Sequence, residues 1–328
     1  MKEALDFIVI GAQKSGTTSL FEYLTRHPEL SLPTGKELPF FSDQDARERG
    51  WSDYMRKAFA FAEPDSRWGT VTPQYMVGGL LDTPNPSSDG ALHDERTIPL
   101  RIREQIPEVH LIAILRDPVE RALSHHRMVT MEGIEQRAFD EAIEQLLQAD
   151  ALEAARRSPQ EETGYVAWGE YGRILSGYLE VFPREQILVL FTQDLEIAPE
   201  QLLARVHEFL GVSSDTMPEN LGRRYRTGGS GRRLSWLRPY AIQRAVTQQN
   251  TMRTLWHKLP ERTRRRIDRQ FIRAAYGFDL WNRRRAHAAE EPDPTTMKRL
   301  QEHFAADAGR LEADFQLTVP WREPVSES

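Results

Sequence analysis

Short apolar runs recur along the chain at intervals too long for hairpins: DFIVIG at 6–11, WGTVTP at 68–73, VHLIAILR at 109–116 and QILVLF at 186–191. Their β-branched content and the amphipathic stretches between them predict parallel strands of one sheet, covered on both faces. Leu20, Tyr23, Leu24 and His27 recur at helical spacing within 17–27, and similar patterns predict helices over about 99–106, 118–132, 137–156, 170–181 and 199–210. The fold class is therefore α/β, a P-loop-like three-layer α/β/α arrangement around a central parallel sheet. The polar, turn-forming segment DTPNPSSDGALHDE at 82–95 is expected to be an exposed insertion. From about 221 the chain turns arginine-rich, and RTRRRIDRQFIRAAY within it has a helical pattern. With no internal repeat and no linker, 1–328 is expected to be one domain, with a core at about 6–212 and a C-terminal elaboration at about 221–328.

Two stretches carry candidate chemistry. IVIGAQKSGTTS at 8–19 runs from a strand into a turn bracketed by Gly11 and Gly16. That is the spacing of a phosphate-binding loop, whose backbone N–H groups converge on an anion at the start of the next helix. In nucleoside triphosphatases the lysine follows the second glycine. Here Thr17 and Thr18 follow it, and Lys14 lies between the glycines. A plain strand-turn-helix corner would also use these glycines. In LIAILRDPVERALSHHRM at 111–128, Arg116 ends a strand, Asp117 can cap the next helix, Pro118 fits its first turn, and Ser124 offers a hydroxyl farther along. Ligands of open α/β sheets bind at the carboxyl edge, where both stretches emerge. Two anion sites on one edge suggest a ligand with two separated phosphates.

Composition narrows the chemistry. Across 328 residues there is no cysteine, which removes disulfides, thiol nucleophiles and thiolate metal sites. The net charge of −6 argues against a protein that coats nucleic acid. No apolar run approaches the roughly 20 residues needed to cross a bilayer, and no signal-like segment precedes the first strand. A soluble cytoplasmic protein is the expectation.

GAQKSGTTSL and RDPVERALSHH resemble, respectively, the 5'-phosphosulfate loop and the 3'-phosphate motif of sulfotransferases that use 3'-phosphoadenosine 5'-phosphosulfate (PAPS). KELPFF at 36–41, YLEVFPREQILVLFTQDL at 178–195, VHEFLGV at 206–212 and the closing LEADFQLTVPW add to the likeness, which is nearest to the heparan-sulfate-type and related bacterial branch. The resemblance implies that Gln13, Lys14, Ser15, Gly16, Thr17 and Thr18 hold the phosphosulfate, with Lys14 assisting departure of the sulfuryl group. It implies Arg116 and Ser124 for the 3'-phosphate, and Arg226 and Gly228 in RTGGSGRR for a basic loop over the nucleotide. Glu37 becomes the base, adenosine 3',5'-bisphosphate the product, and no metal is required. The acceptor is a hydroxyl or amine of a small molecule, lipid or carbohydrate, free or on a carrier protein.

Phe40 and Phe41 are expected to surround Glu37 and raise its pKa; the plainer reading is a loop carboxylate beside two core rings. His126 falls on the apolar stripe with Val119, Ala122 and Leu123 and reads as packing, and His125 and His27 have no better claim as a base. Tyr75 either lines the acceptor side or packs. Where heparan-sulfate-type enzymes often carry Glu-Lys-[Ser/Thr]-Pro, this chain has Thr70, Val71, Thr72 and Pro73. Either Lys36 or an arginine replaces that accessory lysine, or the acceptor needs less help. A P-loop kinase and a non-catalytic nucleotide-binding protein stay open as alternatives. Nucleic-acid binding rests only on the arginines at 262–273 and 283–285, which also fit a solvated helical face.

Overall fold

The computed structural model describes residues 2–33, 35–60, 62–77, 96–219, 221–222 and 291–322. Five strands, β1 (Phe7–Gly11), β2 (Leu30–Ser31), β3 (Arg67–Val71), β4 (His110–Leu115) and β5 (Ile187–Phe191), form a sheet in the order β2-β3-β1-β4-β5. All four pairings are parallel, and central β1 sets Ile8 opposite Thr70 of β3 and Leu111 of β4. The α-helices among the described residues are α1 (Thr17–Leu24), α2 (Gln44–Arg49), α3 (Trp51–Ala58), α4 (Thr97–Gln105), α5 (Pro118–Met131), α6 (Phe139–Leu146), α7 (Ala149–Arg157), α8 (Gly164–Ala167), α9 (Tyr171–Leu179), α10 (Thr192–Ile197), α11 (Pro199–Leu210) and α12 (Pro294–Phe315).

Successive strand residues point to opposite faces, so one apolar run feeds two cores. Ile8, Ile10, Leu111, Ala113 and Val189 pack with Ile98 and Ile102 of α4, Ile174 and Leu175 of α9, and Leu311 of α12. Phe7, Val9, Ile112, Ile114 and Leu190 pack with Leu20 and Leu24 of α1 and Leu202 and Val206 of α11. The expected three layers are present. Packing divides the chain into two units, one of residues 1–126, 137–227 and 292–328, the other of 127–136 and 228–291. The second lies almost wholly outside the described residues, as do the segment 82–95 and the arginines at 262–273 and 283–285.

Helices α2, α3, α8 and α10 are absent from the sequence reading, and three further elements differ from it. The helix expected over 137–156 is two, α6 and α7, separated by extended backbone at Gln148. An unbroken helix would carry the stripe of Phe139, Ala142, Ile143 and Leu146 on to Asp150 and Glu153; the break re-phases it so that Leu152 and Ala155 are buried instead. The two-residue β2 is too short to leave a period of its own. α12, which the sequence reading does not include, buries Leu300, Phe304, Ala308, Leu311 and Phe315, a helical stripe.

Candidate active site

The glycine-bracketed turn leaves the end of β1 and folds back on the sheet, Ala12 N–H donating to Ile114 O of β4 at 2.8 Å. Lys14 and Gly16 both adopt left-handed backbone, with φ of 68° and 90°, on either side of the fully buried Ser15. Glycine suits this conformation at Gly16, where an added Cβ would also approach Leu195 Cδ2 to 3.1 Å. Gly16 is the N-cap of α1 and brings no capping side chain, and the first turn holds no acidic residue. The helix start is thus shaped for an anion. Thr192, the first residue of α10, donates its hydroxyl to Ser15 O at 2.7 Å and secures the loop to the end of β5. Tyr171 lies buried beneath the loop near Ser15, its hydroxyl pushed up to about 12 by burial.

On the β3 side, Glu37 N–H donates to Val71 O at 3.1 Å, which sets the KELPFF segment at that strand's end. Lys36 Nζ donates to Glu37 Oε1 at 2.8 Å and to Thr17 Oγ1 at 3.3 Å, and Gln74 Nε2 donates to Glu37 Oε2 at 3.1 Å. Glu37, Lys36 and the loop residue Thr17 are therefore brought together. The expected aromatic surrounding of Glu37 is a correction: Phe40 and Phe41 turn into the core against Trp51, Tyr54 and Tyr75, and the carboxylate meets a cation and an amide instead. Tyr75 is buried too, its hydroxyl accepting from Phe41 N at 3.2 Å, and is packing.

On the β4 side, Asp117 Oδ1 accepts from Val119 N at 2.8 Å and caps α5, with Pro118 opening the helix as expected. Arg116 pairs with Glu120, Nη2 to Oε2 at 2.9 Å, and Ser124 lies one turn beyond Glu120 on the same helix face. Arg226 and Gly228 lie outside the described residues. The described candidates thus occupy three neighbouring strand ends, with Lys36 and Glu37 beyond β3, the loop of 12–18 beyond β1 and Arg116 beyond β4.

One constellation escaped the sequence reading. Glu161 accepts from Gln13 Nε2 at 2.9 Å and lies 2.6 Å from His125 Nε2. Arg121, fully buried, places Nη1 3.3 Å from His125 Nδ1 and donates through Nη2 to Gly164 O and Tyr165 O at 3.1 and 2.5 Å. A guanidinium only donates, so His125 Nδ1 accepts and Nε2–H donates to Glu161. Burial, with Arg121 nearby, lowers the His125 pKa to about 4, so the ring is neutral near pH 7. The Arg121 and His125 spacing of four on a helix was the available signal; Glu161 had none. His126 packs as expected, its Nε2 3.0 Å from Arg137 O, and His27 is buried with Nε2 2.8 Å from Ser213 O.

Fold and loop together define a P-loop-like α/β protein with a glycine-bracketed turn and a helix start on the carboxyl edge of its sheet. Comparison with known proteins sharpens this. The model of the sulfotransferase domain matches residues 5–226, and the chain belongs to the sulfotransferase family. It is 29% identical over 216 residues to the human bifunctional heparan sulfate N-deacetylase/N-sulfotransferase 3, covering 63% of this chain and 22% of that protein. It is 25% identical over 211 residues to the mouse heparan sulfate glucosamine 3-O-sulfotransferase 3B1, covering 64% of this chain and 47% of that one. The chain therefore spans less than half the length of either relative. A sulfotransferase structure from Alicyclobacillus acidocaldarius shares the fold, with a TM-score of 0.61 and 21% identity over 96% of this chain and 97% of that one.

Proposed function

We propose that the protein moves a sulfuryl group from PAPS to a hydroxyl or amine of a small-molecule, lipid or carbohydrate acceptor, with Glu37 as the base. The observation that carries this reading is the alignment on adjacent strand ends of a carboxylate beside the loop, an anion cradle containing Lys14, and Arg116. Family membership supports the reaction class. The heparan sulfate relatives support including amino sugars among the acceptors tested.

In this reading the 5'-phosphosulfate lies along the loop, on the N–H groups of Ser15 to Thr18 and on Lys14, and the 3'-phosphate meets Arg116 and Ser124. The acceptor oxygen attacks sulfur in line. An S–O bond to the acceptor forms as the S–O bond to the 5'-phosphate breaks, the acceptor's proton passes to Glu37, and the bond's electron pair stays on the phosphate oxygen. The products are the sulfated acceptor and adenosine 3',5'-bisphosphate. The 3'-phosphate, absent from ATP, separates this reading from a kinase.

Calorimetric titration tests it. Adenosine 3',5'-bisphosphate is expected to bind far more tightly than ATP with magnesium. Arg116→Ala is expected to weaken it about tenfold or more, since hydrogen bonds to charged groups contribute about 1.5–3 kcal/mol. A preference for ATP, or no binding of the bisphosphate, overturns the reading.

A further inference from the structure

The family's accessory lysine would fall at the end of β3, where this chain has Val71. Val71 is buried in the core beneath α1 and delivers no charge to the edge. Its carbonyl, however, accepts the Glu37 N–H, so the Lys36–Glu37 pair lies over the same strand end. Lys36 is largely buried, its side chain 14% exposed against 35% for Glu37, and its ammonium reaches both Glu37 and Thr17 Oγ1 at the start of α1. A lysine holding only a neighbouring carboxylate has no need to reach the anion cradle. This one spans the gap between the base and the loop.

We propose that Lys36 takes the place of the missing accessory lysine and follows charge from the base to the leaving group during transfer; this rests on the reading above. Before reaction the negative charge beside Lys36 is on Glu37. As the acceptor's proton passes to Glu37 that carboxylate becomes neutral, and as the S–O bond breaks the 5'-phosphate gains one negative charge. The ammonium, placed between the two, exchanges a carboxylate that is losing charge for a phosphate oxygen that is gaining it. Such an interaction strengthens in the transition state and accelerates the chemical step more than it tightens donor binding. Gln74 still donates to Glu37 Oε2 throughout and keeps the carboxyl group in place.

The test uses PAPS alone, with water as the acceptor, in single-turnover release of labelled sulfate by the full chain, alongside titration with adenosine 3',5'-bisphosphate. Lys36→Met is expected to slow release about 100-fold, the order seen when one donor to a developing oxyanion is removed, while affinity for PAPS, read from the concentration dependence of the same reaction, changes less than about threefold. Lys36→Arg, which keeps the charge, is expected to stay within about tenfold of the wild-type rate. A Lys36→Met rate within threefold of wild type overturns the proposal. So does a Lys36→Arg protein as slow as Lys36→Met, because shape and not charge would then be what matters, and so does a loss of PAPS affinity as large as the loss of rate. If the wild type itself does not bind the bisphosphate, the sulfotransferase reading falls as well; if it binds and only the Lys36 variants behave normally, that reading stands.

Discussion

In the proposed reading, Glu120 keeps Arg116 in order before the 3'-phosphate arrives. The pair is exposed, with Arg116 at 32% and Glu120 at 60%, and an ion pair of this kind contributes only about 0.2–1 kcal/mol. A 3'-phosphate competing for Arg116 must displace Glu120 at about that cost. Glu120→Gln is expected to tighten bisphosphate binding up to about fivefold at low salt, with the gain shrinking as salt is added. Titrations of both proteins at two ionic strengths check this; unchanged affinity would mean that Arg116 does not meet the ligand. His125 makes a different prediction. Its folded pKa of about 4 lies below the ordinary histidine value of 6.5, so between those values the unfolded chain takes up a proton that the folded protein refuses. Stability is therefore expected to fall as pH drops from about 6.5 towards 4. His125→Gln, which has no such titration, should show a shallower loss in urea unfolding at pH 7, 6 and 5.

Among the elements, α9 and α12 show what one position can decide. Glu170, the N-cap of α9, is buried and accepts from Arg156 Nε at 2.9 Å, Arg173 Nε at 2.6 Å and His303 of α12 at 2.9 Å. Burial opposes its charge, but the hydrogen bonds from His303 and Arg156 outweigh that and hold its pKa below the ordinary carboxylate value. One turn inward, Asp307 of α12 accepts from the Gly172 and Arg173 amides, both at 2.8 Å. The helices come so close that a Cβ at Gly172 would lie 2.4 Å from the Asp307 carbonyl oxygen. Gly172→Ala is therefore expected to destabilise by about 1–3 kcal/mol, since backbone must shift to admit the methyl group. A lower denaturation midpoint with unchanged slope checks it. All strands but β2 were legible because burial on both faces writes continuous apolar runs. Helix α12 was equally legible, yet its stripe went unread, and the α6/α7 break is visible only once the phase of the apolar positions is followed to Asp150 and Glu153.

For the molecule as a whole, the sequence marked candidate residues but not how the fold would pair them. Lys14, Glu37, Arg116 and Ser124 could be picked out as candidates because each belongs to a short local motif. Glu161 was not, because its partners Gln13 and His125 are 148 and 36 residues away in the chain, and only the folded sheet joins them. The surroundings of Glu37 were misjudged for a related reason: adjacency to Phe40 and Phe41 says nothing of direction, and the left-handed backbone at Glu37, with φ of 67°, accompanies a turn that parts the carboxylate from those rings. The strand order has one more consequence. In the proposed reading the acceptor chemistry lies beyond β3, the transfer point beyond β1 and the 3'-phosphate contact beyond β4. The half that recognises the donor and the half that selects the recipient thus grow from different strands and different stretches of chain. Under that reading, changes in the stretch between β2 and α2 that carries Lys36 and Glu37 can alter what is sulfated without touching β4 or α5, so one donor apparatus can be inherited intact while its clientele changes.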